Sequence, residues 1–427
     1  MKVLWLCNIM LPVIAQALGR ETNNKEGWLA GLSGRILAES RSNDIELGVC
    51  FPVAMDEETL RGSVQGISYY SFPEDTVHPE RYDPNLEQEL KEILNDFGPD
   101  VVHCFGTEYP HTLAMTRAWN RPERTLIGIQ GLCFVYAEHY MADLPLSVQN
   151  GRTFRDVVKR DDLRQQREKF RERGVYEKEA LKNTLHVTGR TRWDNYWTKE
   201  VNPEAQYHFM NETLRANFYG EKWELEKCRR HSIFLSQGNY PIKGLHYMLE
   251  ALPEILKQYP DAHVYVAGDE ITRFETIREK IKISGYGAYL RRLIGRNHLS
   301  DHVTFLGRLN AEQMLAQYLE SNVFVSPSSI ENSPNSVGEA MLLGMPVISS
   351  DVGGVRDMLA DGREGWLYDS SDVEKLTELV CHVFASENES EVLSVAAAAA
   401  VHAGSTHDPD ANYNRLVEIY HEINVCV

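Results

Sequence analysis

Residues 322–341, NVFVSPSSIENSPNSVGEAM, contain a strand that runs into a helix, and this junction decides how the chain folds. The run from Asn322 to Ser326 is typical of a short buried strand. Ser333 followed by Pro334 predicts the N-cap and the first-turn proline of a helix. A strand that leads directly into a helix indicates a parallel α/β sheet.

The start of this helix is a candidate anion site. The first backbone N–H groups of a helix lack intrahelical acceptors and, together with the helix dipole, attract negative charge such as that of a diphosphate. Glu331 lies before the helix and Glu339 lies within it, eight positions later. Because an ionised carboxylate can accept two hydroxyl hydrogen bonds, these side chains can hold hydroxyl groups on either side of the anion. The candidate binding residues at this tip are Ser333, Asn335, Ser336 and Val337.

Strand-like apolar runs alternate with helical patterns along the whole chain, which predicts parallel sheets with helices on both faces. A first series of strands is expected near Val3–Cys7, Ile45–Phe51, Ile67–Phe72, Val101–Cys104, Thr125–Ile129 and Thr184–Val187. A second series is expected near Ser232–Ser236, Val264–Ala267, Val303–Phe305, Val323–Val325 and Pro346–Ser349. The two series predict two doubly wound, Rossmann-like domains.

The predicted domains are residues 1–198, residues 199–407 and a C-terminal helix over residues 408–427. The first boundary is placed between Trp193 and Lys199, after the last strand of the first series. Asp408 and Pro409 predict the start of the last helix. Gly404 is expected to separate this helix from the alanine-rich helix that precedes it.

Further motifs accompany the strand–helix junction in a fixed order. Downstream, residues 344–357 read GMPVISSDVGGVRD and are followed by Asp361-Gly362 and Gly365-Trp366-Leu367; upstream lie Pro241-Ile242-Lys243-Gly244, Val264 to Gly268 and Val303 to Leu309. From about residue 232 to 370, order and spacing resemble the Glu-x7-Glu region of retaining glycosyltransferase family 4, the glycosyl transferases group 1. The resemblance implies a GT-B fold, in which two Rossmann-like domains face each other across a cleft and the last helix crosses back to the first domain. The N-terminal half matches less closely.

The resemblance implies that the second domain binds a nucleotide diphosphate sugar. Lys243 is expected to meet the diphosphate, Glu339 the ribose hydroxyls and Glu331 the hydroxyls of the transferred sugar. Lys243 and Glu331 are therefore the predicted catalytic residues. The family often has an Arg shortly before the lysine, where this chain has Gln237-Gly238-Asn239, so phosphate neutralisation is expected to depend on Lys243 and the helix tip.

Other donor-side residues are also implied by the resemblance. Gly307, Arg308 and Leu309 are expected to border the base, with pairing of Arg308 to a neighbouring acid as the alternative. Gly27 is expected to bring its backbone close to the phosphates.

Six residues of the first half are expected on the acceptor side. His103, Thr107, Glu108, Gln130 and Arg190 follow predicted strand ends, where ligands bind in open α/β sheets, and His139 lies further along the chain from Gln130. A histidine at the end of a strand is also commonly a hydrogen-bonded structural residue, so both roles stay open for His103.

The composition limits the classes of molecule that this protein is expected to bind. The formal net charge of −18 opposes phosphate backbones, so nucleic acid is not an expected partner. The seven cysteines are scattered without a Cys-x-x-Cys pair, which favours a reducing compartment. The chain has no His-Glu-x-x-His motif and no clustered Cys and His, so neither a metal nor another cofactor is expected beside the donor sugar nucleotide.

The first residues resemble a secretory signal, because Lys2 precedes an apolar run that ends in Ala15-Gln16-Ala17. Asn8 and Pro12 interrupt that run, which favours a strand followed by a loop. No apolar stretch approaches the ~20 residues that cross a bilayer, so we expect a cytoplasmic protein, with peripheral contact at the inner membrane face left open. Residues 151–180 carry ten Lys/Arg and seven Asp/Glu and form either a solvated helical face or a contact with an anionic or lipid-linked acceptor.

The prediction is a retaining, metal-independent glycosyltransferase of hexosyltransferase type. It moves a sugar from a nucleotide diphosphate sugar to a hydroxyl of a saccharide or lipid-linked acceptor, in polysaccharide or glycoconjugate synthesis. Retention is implied by the family resemblance. Two alternatives stay open: a nucleotide-sugar epimerase of GT-B fold, and a non-catalytic subunit that binds a nucleotide sugar.

Overall fold

The computed structural model describes residues 1–20, 27–39 and 44–425, and the strands within these ranges form two sheets. The first sheet has the order β3-β4-β2-β1-β5-β6-β7-β8, with β1 (Lys2–Leu6), β2 (Glu46–Val53), β3 (Arg61–Val64), β4 (Ile67–Pro73), β5 (Val101–Phe105), β6 (Thr125–Gly128), β7 (His186–Gly189) and β8 (Gln206–Phe209). The second has the order β11-β10-β9-β12-β13-β14, with β9 (Arg229–Leu235), β10 (His263–Ala267), β11 (Val303–Gly307), β12 (Ser321–Ser326), β13 (Val347–Ser350) and β14 (Trp366–Tyr368). Only β3 and β4 pair in antiparallel fashion among these strands, and the predicted α/β class is confirmed.

Helices connect these strands. In chain order they are α1 (Pro12–Ala17), α2 (Gly27–Ala38), α3 (Asn85–Phe97), α4 (His111–Trp119), α5 (Cys133–His139), α6 (Leu146–Gln149), α7 (Phe154–Lys159), α8 (Leu163–Lys182), α9 (Arg192–Val201), α10 (Leu245–Gln258), α11 (Ile277–Lys282), α12 (Gly285–Arg296), α13 (Ala311–Glu320), α14 (Asn335–Leu343), α15 (Val355–Met358), α16 (Val373–Phe384), α17 (Glu389–Thr406) and α18 (Pro409–Val425). Within the described ranges, none of them is long and apolar enough to cross a membrane.

The inner strands are apolar because helices cover both faces of each sheet. All five residues of β5 and all six of β12 are buried. The edge strand β3 instead alternates between exposed and half-buried residues. The strongest apolar runs of the sequence therefore mark the strands at the centres of the sheets.

The chain forms two compact units. Unit 1 contains residues 1–137, 169–216 and 407–427, and unit 2 contains residues 138–168 and 217–406. The predicted boundaries differ from this division in two places. Residues 138–168 pack with unit 2, and unit 1 continues past residue 198 because β8 extends the first sheet.

The C-terminal helix α18 belongs to unit 1, where a buried hydrogen-bond chain fixes it to the first sheet. The Trp5 Nε1–H group donates to the Tyr420 hydroxyl at 2.8 Å, and that hydroxyl lies 2.7 Å from Nδ1 of His103. Indole N–H groups only donate, so the Tyr420 hydroxyl accepts from Trp5, and it shares a second hydrogen bond with His103. The helix is thus held by a specific polar contact as well as by apolar packing.

Two details of the predicted fold are wrong. The strands β3, β8 and β14 were not predicted, because they have only three or four residues each and β8 (Gln206-Tyr207-His208-Phe209) is largely polar. Helix α17 also continues through Gly404 to Thr406, where the sequence predicted a break. A single glycine costs a helix only about 1 kcal/mol, which is not enough to end it.

Candidate functional site

The second sheet brings Lys243 and Glu331 together. Strands β9 and β12 are parallel neighbours, so the segments that follow them lie at the same edge of the sheet. Lys243 ends a short 3₁₀ helix, Pro241–Lys243, that follows β9, and Glu331 lies in the loop between β12 and α14. The Lys243 Nζ lies 2.5 Å from Glu331 Oε1.

This ion pair is largely enclosed. The side chains of Lys243 and Glu331 are 19% and 8% exposed, and the Ser328 hydroxyl donates to the same Glu331 oxygen at 2.7 Å. Burial alone would lower the pKa of Lys243, but the charge of Glu331 and the neighbouring Tyr240 hold it above its ordinary value. The lysine is therefore a permanent ammonium that can meet an anionic ligand.

Two glycines let the backbone of these loops approach closely. Gly244 has φ +69°, and a Cβ there would lie 1.7 Å from the carbonyl oxygen of Pro327. Gly353 has φ +56°, and a Cβ there would lie 1.8 Å from the carbonyl oxygen of Glu331. That carbonyl also accepts the Gly354 N–H at 3.1 Å. The loops after β9 and β13 therefore hold the loop that carries Glu331 from both sides.

The tip of helix α14 differs in detail from the prediction. Its N-cap is Pro334, which has no side-chain acceptor, and Ser333 lies one position before it. The amide of Val337 donates to the Pro334 carbonyl at 3.0 Å, so the predicted anion site is reduced to the amides before it. Glu339, on the first turns of α14, is buried at 3% exposure.

The remaining donor-side residues lie on neighbouring elements. Arg308 pairs with Asp269 through Nε–Oδ1 and Nη2–Oδ2 contacts of 2.8 and 2.6 Å, which is the alternative that the sequence left open. Gly307 adopts φ +72° at the end of β11, next to Leu309. In unit 1, Gly27 begins helix α2.

His103 is a core residue. It lies in the middle of β5 and is fully buried, with its ring bonded to Tyr420. Burial lowers the pKa of His103 to about 3, so the ring is neutral. The predicted acceptor role of His103 is wrong, because β5 continues past it to Phe105 and no face of the ring reaches solvent.

Thr107 and Glu108 follow β5 and belong to a buried acidic cluster. The Thr107 hydroxyl donates to Glu177 Oε1 at 2.5 Å, and the Phe134 amide donates to Glu177 Oε2 at 3.1 Å. Burial raises the pKa of Glu177 to about 8 and also raises the pKa of Glu108. Thr107 is itself buried at 2% exposure, so Glu108 is the more accessible of the two predicted residues.

The side chains of Gln130 and Arg190 both contact the carboxylate of the buried Glu212. Arg190 Nη1 lies 2.5 Å from Glu212 Oε2, and the Gln130 amide donates to Glu212 Oε1 at 2.7 Å. Arg190 and Glu212 are 5% and 4% exposed. This ion pair joins the loops after β6, β7 and β8, which is a structural role rather than the predicted contact with an acceptor.

His139 lies in unit 2, not in the predicted acceptor-side domain. Its carbonyl oxygen accepts the Ser329 hydroxyl at 3.1 Å, two residues from Glu331. The backbone of residues 138–168 therefore supports the same loop that carries Glu331.

A polar network that the sequence did not indicate lies at the carboxyl edge of the first sheet. The fully buried His111 lies 2.7 Å from Glu74 Oε2 through Nδ1 and 2.9 Å from Asn8 Oδ1 through Nε2. Asn8 follows β1, and its position after a central strand was the available signal. Glu74 and His111 are separated by 37 residues, so no local sequence signal indicated that they pair.

Comparison with known proteins covers the region that contains this second-sheet site. The profile described as glycosyl transferases group 1 matches residues 221–399, which include β9 to β14 and both Lys243 and Glu331. Residues 221–399 are thus similar to the glycosyl transferases group 1 family. The glycosyl transferases group 1 region thus lies in unit 2 together with the ion pair.

Three curated relatives are similar to part of this chain. Spore coat protein SA of Bacillus subtilis is 27% identical over 155 residues, 36% of this chain and 39% of that protein. A GDP-mannose-dependent alpha-(1-6)-phosphatidylinositol monomannoside mannosyltransferase of Mycolicibacterium smegmatis is 25% identical over 163 residues, 36% and 39% of the two chains. The amylovoran biosynthesis glycosyltransferase AmsK of Erwinia amylovora is 28% identical over 186 residues, 42% and 41%. The matched part spans about two fifths of the length of these relatives.

Solved structures share the fold over the whole chain. Sucrose-phosphate synthase from Thermosynechococcus elongatus aligns with a TM-score of 0.70 at 13% identity and covers 100% of both chains. Anabaena Alr3699/HepE in complex with UDP-glucose aligns with a TM-score of 0.65 at 14% identity, covering 99% of this chain and 100% of that one. The fold is therefore of GT-B type, as the resemblance implied.

Proposed function

We propose that this protein is a retaining glycosyltransferase that moves a sugar from a nucleotide diphosphate sugar to an acceptor hydroxyl. The enclosed Lys243–Glu331 ion pair, within the glycosyl transferases group 1 region, is the observation that carries the proposal. It supplies a fixed cation for a diphosphate and a carboxylate for sugar hydroxyls at one point of the sheet edge.

The two charges neutralise each other before the donor binds. A diphosphate oxygen competes with Glu331 for the Lys243 ammonium, and the diphosphate as a whole carries more negative charge than one carboxylate. Glu331 then has lone pairs for hydroxyls of the donor sugar, while Ser328 keeps its carboxylate in place. Donor binding thus replaces the Lys243–Glu331 ion pair with a Lys243–diphosphate contact and with hydrogen bonds from sugar hydroxyls to Glu331.

In the chemical step, the bond between the sugar and the diphosphate breaks as the acceptor hydroxyl attacks the same face. The leaving phosphate takes the acceptor proton, so the reaction needs no separate protein base. Lys243 and the amides at the tip of α14 stabilise the charge that develops on the diphosphate. Because these groups supply the positive charge, the proposed reaction is metal-independent.

The proposed donor is a hexose linked to UDP or GDP, and the proposed acceptor is a saccharide or a lipid-linked sugar. Relatives named for GDP-mannose and a neighbour solved with UDP-glucose support this choice of donors. A place in polysaccharide or glycoconjugate synthesis, at the cytoplasmic side of a membrane, is the corresponding proposal for pathway and location. Amylovoran biosynthesis is the process given in the name of the relative from Erwinia amylovora.

Thermal unfolding with a panel of UDP, GDP and their hexoses tests the donor site. A ligand at 100 times its Kd raises stability by about 2.7 kcal/mol, which shifts the unfolding temperature measurably. Lys243→Ala and Glu331→Gln are each expected to lower sugar transfer at least about 100-fold. The matched control Lys375→Ala removes an exposed lysine of unit 2 that also pairs with a glutamate, and should leave transfer unchanged. Full transfer by both site variants would refute the assignment.

Product analysis separates the two alternatives. Isomerisation of the nucleotide sugar without any acceptor would indicate an epimerase. Binding without transfer to any saccharide or lipid-linked acceptor would indicate a non-catalytic subunit. Transfer that survives EDTA and yields the anomeric configuration of the donor is the outcome that we expect.

A further inference from the structure

Two short helices of unit 2 pack against each other and expose apolar side chains. On α7, Phe154, Val157 and Val158 are 66%, 61% and 61% exposed. On α11, Ile277 and Ile281 are 79% and 47% exposed. The two helices are in direct contact, so these five exposed side chains lie on neighbouring elements.

The exposed apolar residues lie on one face of each helix. Phe154, Val157 and Val158 stand at positions i, i+3 and i+4, and Ile277 and Ile281 stand at i and i+4. Residues at these spacings share a helix face. We call the surface formed by these five side chains the apolar face.

The acidic residues within the two helices, Asp156 and Glu279, lie away from the apolar face. Each helix begins with a threonine whose capping partner at the third position is an acid, Asp156 in α7 and Glu279 in α11. Both carboxylates bind backbone amides at their own helix start, and Asp156 also accepts the Gly285 amide at 2.9 Å. Since 100° separates successive helix residues, Asp156 and Glu279 lie opposite Phe154 and Ile277.

Cations border the apolar face. Lys159 and Arg160 end α7, and Arg278 and Lys282 lie beside the isoleucines of α11. Within the residues that the structure describes, these four cations form no ion pair. Arg155, by contrast, is neutralised by Asp161 at 2.9 Å. The surface thus combines exposed aliphatic groups with unneutralised positive charge on a protein whose net charge is −18.

We propose that the apolar face and its bordering cations dock the protein on a lipid bilayer with anionic headgroups. Aliphatic and aromatic side chains of an amphipathic helix enter the boundary between headgroups and acyl chains, and neighbouring Lys and Arg bind the headgroups. The local charge is complementary to such a membrane, whereas two copies of the same cationic face repel each other. Residues 151–180 therefore touch membrane through α7, and α11 supplies the other half of the contact.

Vesicle flotation of the full-length protein tests the proposal. The proposed membrane docking does not depend on the proposed transferase activity. The wild type should float with vesicles of mixed phosphatidylglycerol and phosphatidylcholine, and added salt should weaken the binding. Phosphatidylcholine vesicles should bind it weakly. The triple variant Phe154→Ser, Val157→Ser, Ile277→Ser and the charge variant Lys159→Glu, Lys282→Glu should each weaken binding by about tenfold or more.

The matched control is Val401→Ser with Lys227→Glu, an exposed apolar residue and an exposed cation of the same unit, on other elements. The control should bind the mixed vesicles like the wild type. All variants should keep the nucleotide-induced thermal shift, which separates this result from a failure of the donor site. Absence of binding to mixed vesicles, or equal binding by the wild type and both docking variants, would overturn the proposal. So would a dimer in sedimentation that the serine variant converts to a monomer.

Discussion

Gly353 shows how a backbone contact can fix a charged side chain. A methyl group at this position would overlap the Glu331 carbonyl, and the residue also adopts φ +56°. Gly353→Ala must therefore displace the loop that carries Glu331, and we expect a loss of about 3 kcal/mol in stability with a clear loss of nucleotide affinity.

Gly362 offers a matched control for this substitution. It adopts φ +68°, but a Cβ there would meet no atom within 4 Å. Gly362→Ala should cost only the left-handed conformation, about 1 kcal/mol, and leave nucleotide affinity unchanged. Chemical denaturation and nucleotide titration of the two variants distinguish conformational strain from the contact with Glu331. Equal nucleotide affinities in both variants would contradict the argument.

Glu177 makes the stability of the protein depend on pH. Burial raises the pKa of its carboxyl to about 8, whereas a glutamate in an unfolded chain titrates near 4.3. Between these values the folded state keeps a proton that the unfolded state has lost. The free energy of unfolding should therefore fall by roughly 4 kcal/mol, at about 1.4 kcal/mol per pH unit, as pH rises from about 5 to about 8, and then level off.

The variant Glu177→Gln isolates this contribution. Its amide can accept from the Phe134 N–H and donate to Thr107, so the local contacts survive. Its free energy of unfolding should depend less on pH over the same interval than that of the wild type. Glu204→Gln, at an exposed position, serves as the control and should keep the wild-type slope. Parallel curves for the wild type and Glu177→Gln would rule out the raised pKa.

Residue-level patterns in the sequence predicted which side chains lie together more accurately for the second sheet than for the first. Lys243 and Glu331 each follow one of the two central strands of the second sheet, and parallel neighbours bring such segments to one edge. His103 carried the same kind of signal, yet it is buried and its Nδ1 is hydrogen-bonded to Tyr420, 317 residues later in the chain. A hydrogen-bond partner at that separation has no local signature.

At the scale of elements, Tyr420 links helix α18 to the first sheet. Tyr420→Phe keeps the buried ring but removes the hydroxyl that is hydrogen-bonded to both Trp5 and His103. Both partners are fully buried and would lose their hydrogen bond, so we expect a loss of about 2 kcal/mol or more in the free energy of unfolding. Urea denaturation of the variant and the wild type measures this loss of stability.

Tyr196→Phe is the matched control, because that tyrosine is 54% exposed on α9 of the same unit. It should change stability by less than about 0.5 kcal/mol. A Tyr420→Phe protein as stable as the control would show that apolar packing alone holds the last helix.

Elements with a strong apolar run were predictable, and short polar ones were not. The predicted strands at Val101–Cys104 and Val323–Val325 coincide with β5 and β12, whose residues are buried throughout. Strand β8 joins the sheet through backbone pairing with β7 although two of its four residues are exposed. Backbone hydrogen bonds do not depend on side-chain polarity, so hydrophobic pattern gives no sign of such an edge strand.

The assignment of residues 138–168 is a property of the whole molecule. They lie between elements of unit 1 in the sequence but contribute to unit 2. His246 Nε2 lies 2.8 Å from the Ala142 carbonyl, and the Tyr247 hydroxyl donates to Asp143 at 2.7 Å. These contacts join residues 104 positions apart, which is why a division by strand order placed the segment in the wrong domain.

Fragments of the chain test whether unit 2 needs this segment. A fragment of residues 217–406 alone should unfold at lower urea than a single chain in which residues 138–168 precede it through a flexible linker. The shorter fragment leaves His246 and the Gly285 amide without their partners Ala142 and Asp156, and each unsatisfied buried group costs about 1–3 kcal/mol. A control chain carries the 31-residue segment in scrambled order, at equal length and composition. If the scrambled chain matched the native one in urea midpoint and nucleotide binding, residues 138–168 would be a passive connection and not part of the fold of unit 2.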